Sequence, residues 1–304
     1  MITPPKMVLA LGEVLWDVFP NGPRFGGAPA NFACCVAELG QERVSVALAS
    51  AVGNDDLGRQ ASRTLQELGV ATKHVASCPI PTGQVLVQLD AEGRASYSFV
   101  DNPAWDHVLW KSELATAARA ADIVYFGTLG QRSETSRQTI QKAVQVTSLN
   151  CLRIVDINLR PPFWNRDVIV QSLTLANVLK LNDEELPMVA EMLDATGTDE
   201  EILRGIMNKY SLRAIALTRG ANGSLLLSHT GERSHVPGVI ISVVDTVGAG
   251  DSFTAALALG LSHGLPLEVI NRWATDVAAF VCTQAGGTPR IPAELRLTEV
   301  LTRP

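Results

Sequence analysis

Short, mostly apolar runs bounded by glycine, proline or polar residues recur along this chain, and stretches with helical spacing separate them. Met7 to Leu11, Val44 to Val52, Ile123 to Phe126, Leu152 to Ile157, Val178 to Leu181 and Ala214 to Thr218 read as strands buried on both faces. Between them Ala30 to Leu39, Leu57 to Leu68, Glu134 to Val146 and Glu184 to Leu193 read as helices. Pro29 opens the first of these helices and Gly40 closes it, and Gly69 follows the second, which is the expected punctuation of helix ends. The alternation predicts an α/β fold with a mostly parallel central sheet covered by helices on both faces, a three-layer α/β/α sandwich.

One region breaks the rhythm. Gln84 to Asp90, the turn Ala91-Glu92-Gly93-Arg94 and Ala95 to Val100 alternate with period two and predict a hairpin. With Val14 to Phe25 it would form a small sheet, a lid over the carboxyl edge of the main one. The expected organisation is a core of residues 1–12, 32–80 and 107–304 and a discontinuous β lid of 13–31 and 81–106. A chain of 304 residues, 46% of them hydrophobic, is long enough for one large domain with such an appendage. A net charge of -6 without any Lys/Arg run argues against nucleic acid or an anionic membrane as partner. Phosphate would have to be attracted locally, by helix ends, selected basic residues and a bound cation. Cys34, Cys35, Cys78, Cys151 and Cys282 are scattered and read as reduced thiols, and the histidines show no zinc spacing. No long apolar segment precedes the first strand and no apolar run reaches membrane-spanning length, so a cytoplasmic location is expected.

The chemistry concentrates in Val243-Val244-Asp245-Thr246-Val247-Gly248-Ala249-Gly250-Asp251-Ser252-Phe253. Phe253, Ala256, Leu257 and Leu261 follow helical spacing, so a buried helix starts near Ala249 with its first amides facing the glycine turn. Free N–H groups at a positive helix end favour a phosphate or a developing oxyanion. Asp251, in the first turn, is placed to accept a proton from a substrate hydroxyl beside that anion. Simple stabilisation of the helix end would not need two flanking glycines.

Other clusters fall at strand ends, where α/β proteins bind ligands. Gly26 and Gly27, with Asn31 beyond them, would admit a small polar ligand, unless they only make a tight strand-to-helix connection. Asp17 could accept hydrogen bonds from vicinal hydroxyls. Arg160, in Asp156-Ile157-Asn158-Leu159-Arg160, could pin a phosphate oxygen or else pair with Asp156. Lys180-Leu181-Asn182-Asp183-Glu184-Glu185 suits water-mediated Mg²⁺, although N-capping by Asn182 or Asp183 is the stronger reading of the spacing alone. Thr218-Arg219-Gly220-Ala221-Asn222-Gly223 closes a further strand with a turn that could touch a nucleotide. Neither Gly-x-x-x-x-Gly-Lys-Ser/Thr nor a complete dinucleotide fingerprint is present, and there is no Gly-x-Ser-x-Gly elbow.

These motifs resemble the ribokinase-like, or PfkB, sugar kinases. Asp245 to Asp251 is similar to the family's C-terminal signature and Gly26-Gly27 with Asn31 to its N-terminal one. Gly12-Glu13 with Asp17, Asp156 to Trp164 and Cys282 to Pro289 look most like bacterial fructokinases. The resemblance implies a ribokinase-like fold and transfer of the γ-phosphoryl of MgATP to the terminal hydroxymethyl of a ketohexose, fructose first. It makes Asp251 the base and Gly248, Ala249 and Gly250 the cradle of the transferring group, with Arg160 on phosphate. Asp17, Gly26, Gly27, Asn31 and Phe99 would hold the sugar, and Lys180, Asn182, Thr218, Gly220, Gly223 and Thr275 the nucleotide. Glu185 would organise Mg²⁺ through water, and a monovalent cation such as K⁺ would sit near Asp245. Thr275 stands where relatives often carry Asn. Asp101 follows Phe99-Val100 where ketodeoxygluconate kinases tend to carry arginine, which favours a neutral sugar. Ribose, a nucleoside and ketodeoxygluconate are the rival acceptors. A silent sugar sensor is a more distant reading, since a sensor needs no base. The free edge of the lid sheet could pair two copies into a homodimer.

Overall fold

The computed structural model describes residues 4–20, 22–89 and 95–302. Along the chain, β1 (Lys6–Leu11), β2 (Leu15–Phe19) and β3 (Gly22–Gly26) precede α1 (Ala28–Gly40), β4 (Val44–Gly53), α2 (Asp56–Glu67) and β5 (Val70–Cys78). The hairpin strands β6 (Gly83–Leu89) and β7 (Ala95–Phe99) follow, then α3 (Ser112–Ala120), β8 (Ile123–Gly127), α4 (Glu134–Gln145) and β9 (Leu152–Asp156). Next come α5 (Arg166–Leu175), β10 (Val178–Asn182), α6 (Glu185–Met192), α7 (Asp199–Tyr210) and β11 (Ala214–Thr218). The chain ends with β12 (Ser224–Ser228), β13 (Arg233–Val236), α8 (Ala249–Ser262), α9 (Leu267–Cys282) and α10 (Leu297–Thr302).

Among the described residues nine strands form the main sheet, in the order β13-β12-β11-β10-β9-β8-β1-β4-β5. It is parallel except at one edge, where β12 and β13 turn antiparallel. Alternate residues of each strand feed opposite layers: Val8 and Ala10 pack into a core shared with α1, α2, α8 and α9, while Leu9 and Leu11 pack among α3 to α7. Burial on both faces is why the strands read as continuous apolar runs.

A second sheet, in the order β3-β2-β6-β7, is the expected lid. Its hairpin turn, Ala91 to Arg94, lies outside the described residues. One boundary differs from expectation: residues 28–31 belong to the core, because Pro29 in the first turn starts α1 immediately after Gly27. The lid stands at the carboxyl edge of the main sheet. Phe99 of β7 meets Phe163, in the loop after β9, edge to face at 5.3 Å. Among the described residues no helix is long and apolar enough to cross a membrane.

Candidate active site

Two helix N-termini converge where the lid meets the core. Gly248 caps α8 with φ 77° and ψ -3°, a left-handed conformation suited to glycine, and Gly27 caps α1 with φ 106°. Side chains are excluded as well as disfavoured there. An added Cβ at Gly248 would lie 2.6 Å from the Gly287 backbone, and one at Gly27 would lie 2.6 Å from the Glu13 carbonyl oxygen. Each helix start is thereby pressed against a neighbouring loop, that of α8 against Gly287 and that of α1 against Glu13.

Asp251 and Asn31 link the two helices directly. Asn31 Nδ2 donates to Asp251 Oδ2 at 2.9 Å, across a sequence separation of 220 residues. Asp251 is half-buried. Burial raises its pKa above the ordinary carboxylate value, against the Asn31 hydrogen bond and the charges of Lys180 and Arg160. The group therefore combines a strengthened base with remaining access. Asn31 Oδ1 is buried without a protein partner among the described residues.

Further carboxylates surround the same space. Asp17 of β2 touches the Gly26 position, where a Cβ would come within 2.8 Å of Asp17 Oδ2. Burial pushes Asp17 up to about 6, with Arg160 and Arg24 pulling down and Asp245 and Asp251 pushing up. Those mutual effects place Asp17, Arg160, Asp245 and Asp251 in one electrostatic neighbourhood. Arg160 itself is exposed and donates to the Leu159 carbonyl at 3.0 Å. The alternative pairing of Arg160 with Asp156 does not occur, because Asp156 is taken by Lys180.

That pair is buried. Lys180 Nζ lies 3.0 Å from Asp156 Oδ1, with side chains 7% and 1% exposed, and Thr254 of α8 donates to the other Asp156 oxygen at 3.1 Å. Burial pushes Asp156 up to about 7 against the attraction of Lys180. Burial alone would lower the lysine, but Asp156, Glu185 and Asp251 hold it protonated. A Cβ on Gly250 would stand 2.8 Å from Lys180 Nζ, so the ammonium lies directly under the first turn of α8.

Asn182 and Glu185 share a tight turn at the end of β10. Asn182 Oδ1 accepts the amides of Glu184 and Glu185 at 2.9 and 2.8 Å, so it does cap the start of α6. Glu185 is buried and takes one amide on each oxygen, Leu159 and Asn182, both at 2.9 Å. Each oxygen keeps one acceptor position, which suits a hydrated ion better than a directly bound one. No cluster of three or more metal-ligating side chains is present among the described residues. Thr218 lies beside Asn182 in the sheet register, and the Gly220 to Gly223 turn follows it.

Two residues expected in the site have other partners in the structure. Thr275 presents no hydroxyl hydrogen to a nucleotide, because it donates to the Asn271 carbonyl at 2.8 Å and lies 2.9 Å from the Ser224 hydroxyl in a buried network. Asp245, expected beside a monovalent cation, instead carries the Arg24 guanidinium at 2.9 Å.

Sequence reasoning missed two features. Glu13 is 2% exposed, burial pushes its carboxyl up to about 7, and its Oε2 has no partner among the described residues. Arg132 grips Asp106 through Nε and Nη2 and lies over Trp105 and Phe163 at 4.1 and 4.5 Å, with Phe99 at 5.9 Å. Nothing local in the sequence marks Arg132. The Gly-Glu dipeptide at a strand end was the only available signal for Glu13.

The surroundings match known proteins over nearly the whole chain. The family model described as pfkB family carbohydrate kinase matches residues 15–294. A fructokinase of Salmonella typhimurium is 30% identical over 289 residues, covering 90% of this chain and 91% of that protein. An aminoimidazole riboside kinase of Salmonella typhimurium is 27% identical over 313 residues, covering 97% and 95%. The structure of an uncharacterized sugar kinase from Pyrococcus horikoshii in complex with ATP superimposes with a TM-score of 0.81 at 27% identity, covering 97% of each chain. With the ribokinase-like architecture and both glycine-capped helix starts in place, the chain belongs to the pfkB family of carbohydrate kinases, phosphotransferases that act on a sugar hydroxyl.

Proposed function

We propose that this sugar kinase transfers the γ-phosphoryl of MgATP to the terminal hydroxymethyl of fructose, giving fructose 6-phosphate. The observation that carries the reading is the Asn31–Asp251 bond, which holds a half-buried carboxylate of the first turn of α8 against the start of α1. An acceptor alcohol bound there has a proton acceptor on one side and helix-end amides for the phosphoryl group on the other.

Catalysis is then mainly positioning and charge stabilisation. Asp251 takes the proton of the acceptor hydroxyl as the new O–P bond forms and the bond from the γ-phosphorus to the bridging oxygen breaks, with ADP as the leaving group, and the amides of Gly248, Ala249 and Gly250 hold the equatorial oxygens. Lys180 places a positive charge beneath that turn, and Arg160 reaches the phosphate from the opposite loop. Thr218, Gly220 and Gly223 border the nucleotide side, and Asn182 with Glu185 would hold Mg²⁺ through water. The ion would supply charge neutralisation on the phosphate oxygens. The lid excludes water, which would otherwise compete for the phosphoryl group.

Charge distribution supports a neutral acceptor. Glu13, Asp17 and Asp251 surround the sugar side, where carboxylates suit hydroxyl donors and oppose an acidic substrate. The nearby Arg132 cannot compensate, since Asp106 neutralises it in a bidentate pair with side chains 8% and 11% exposed. Fructokinase relatives agree, while the riboside kinase keeps ribosides as the second reading. Turnover on fructose, tagatose, ribose, glucose, a purine riboside and ketodeoxygluconate at equal concentration, read as ADP release, tests this. Fructose should have the highest kcat/KM, and a ranking led by a riboside or by ketodeoxygluconate rejects the assignment.

A further inference from the structure

Asp245 opens the loop that leads into α8. Its Oδ1 accepts the Val247 amide at 3.0 Å and its Oδ2 the Gly286 amide at 3.1 Å, so one carboxylate ties the 245–248 segment to the turn after α9. The third contact comes from the lid, where Arg24 of β3 donates from Nη1 to Asp245 Oδ2 at 2.9 Å. The guanidinium is held from its other side too, 4.4 Å over the ring of Phe19 on the paired strand. A monovalent cation near this carboxylate would need its uncompensated negative charge. Arg24 has already neutralised that charge and repels a second cation at short range. The residues present therefore do not fit the ion that the family resemblance implies.

We propose that Arg24 is a built-in cation: its guanidinium replaces the monovalent ion at Asp245 and orders the glycine cradle, so phosphoryl transfer needs no K⁺. Arg24 is a positioning residue, acting on Gly248 to Gly250 through Asp245. Because it lies on a lid strand, the cradle is fully ordered only while the lid is seated. The catalytic half of this statement rests on the kinase reading, whereas the cation half can be read without turnover.

The test compares tetramethylammonium, Na⁺ and K⁺ chlorides at one ionic strength, measuring thermal melting of the protein and, in parallel, kcat with fructose and ATP. Wild-type protein should show one Tm and a kcat constant to within about twofold across the salts, since only general screening acts. Arg24→Met should lose about tenfold or more in kcat in tetramethylammonium, as when a charge-stabilising group is removed. K⁺ should restore much of that loss and raise the variant's Tm selectively, and Arg24→Lys should need no K⁺. Selective activation or stabilisation of the wild type by K⁺, or full activity of Arg24→Met in tetramethylammonium, overturns the proposal. If no acceptor is phosphorylated in any salt, the kinase reading is what has failed, and the K⁺-selective Tm shift still decides the role of Arg24. If Arg24→Met does not fold, the wild-type salt comparison decides it alone.

Discussion

Replacing Asp251 by asparagine separates the chemical role of this carboxylate from its structural one. The Asn31 amide donates to Asp251 Oδ2 at 2.9 Å, and asparagine keeps that bond by presenting its own amide oxygen. Its NH₂ group then faces the acceptor hydroxyl, a donor where a proton acceptor is required. The pocket keeps its shape and loses its base. General-base assistance contributes about 10²–10⁴ in rate, or about 3–5 kcal/mol of barrier, so kcat should fall by that factor. Sugar affinity should fall by no more than about tenfold, because a neutral hydrogen bond replaces a charge-assisted one that is stronger by only about 1 kcal/mol. Burial lifts the Asp251 pKa above 3.8, so wild-type kcat should drop on its acid limb as this group takes a proton, and the variant should lack that limb. ADP release at saturating fructose and ATP across pH, with calorimetric titration of fructose, measures both. A variant with kcat within about tenfold of wild type would refute proton acceptance by Asp251.

Three further substitutions probe what surrounds it. Lys180→Met breaks a pair with side chains 7% and 1% exposed and should cost about 3–5 kcal/mol in denaturant unfolding at pH 8. The loss should shrink toward acid pH, where Asp156 takes a proton, and Asp156→Asn in the same chain should recover most of it; equal loss at every pH would contradict the pairing. Gly248→Ala forces a side chain into φ 77° and against the Gly287 backbone, which should cost about 1–2 kcal/mol for the conformation alone and depress kcat/KM for ATP more than sugar affinity. For Glu13, the folded pKa of about 7 against an ordinary 4.5 means stability is full below pH 4.5 and is lost as pH rises through 7. That loss amounts to about 3 kcal/mol, so Glu13→Gln should flatten the fall in unfolding free energy over this window, and an unchanged slope would show that Glu13 is not the titrating group.

The six contiguous strands β11-β10-β9-β8-β1-β4 were legible because strands buried on both faces leave an apolar record that needs no knowledge of their neighbours, whereas β5, β12 and β13 at the two edges were not read. The glycine-bracketed start of α8 was legible for a related reason, since a positive φ followed by a helix restricts residue type. Legibility failed where meaning depends on partners distant in sequence. Arg132 is an ordinary arginine until Asp106, Trp105, Phe163 and Phe99 gather around it. Thr275 looked like a residue beside a nucleotide, yet Ser224 of β12, 51 residues away, and the Asn271 carbonyl one turn back on α9 absorb its hydroxyl. Arg24 lay just before a glycine pair already singled out, but only the folded lid shows that it reaches Asp245, 221 residues away.

The convergence of main chain beneath the lid limits how this enzyme can change. Added Cβ atoms would approach Gly12 Cα to 2.9 Å at Gly130 and backbone to 2.6 Å at Gly27 and Gly248, so the floor under the acceptor is made of peptide units with no side chain to exchange. Drift in acceptor preference is thereby channelled to side chains that meet above it, such as Phe99 of the lid and Phe163 against it. Mutant libraries aimed at new sugars belong there, while randomising the floor would mostly yield chains that no longer fold.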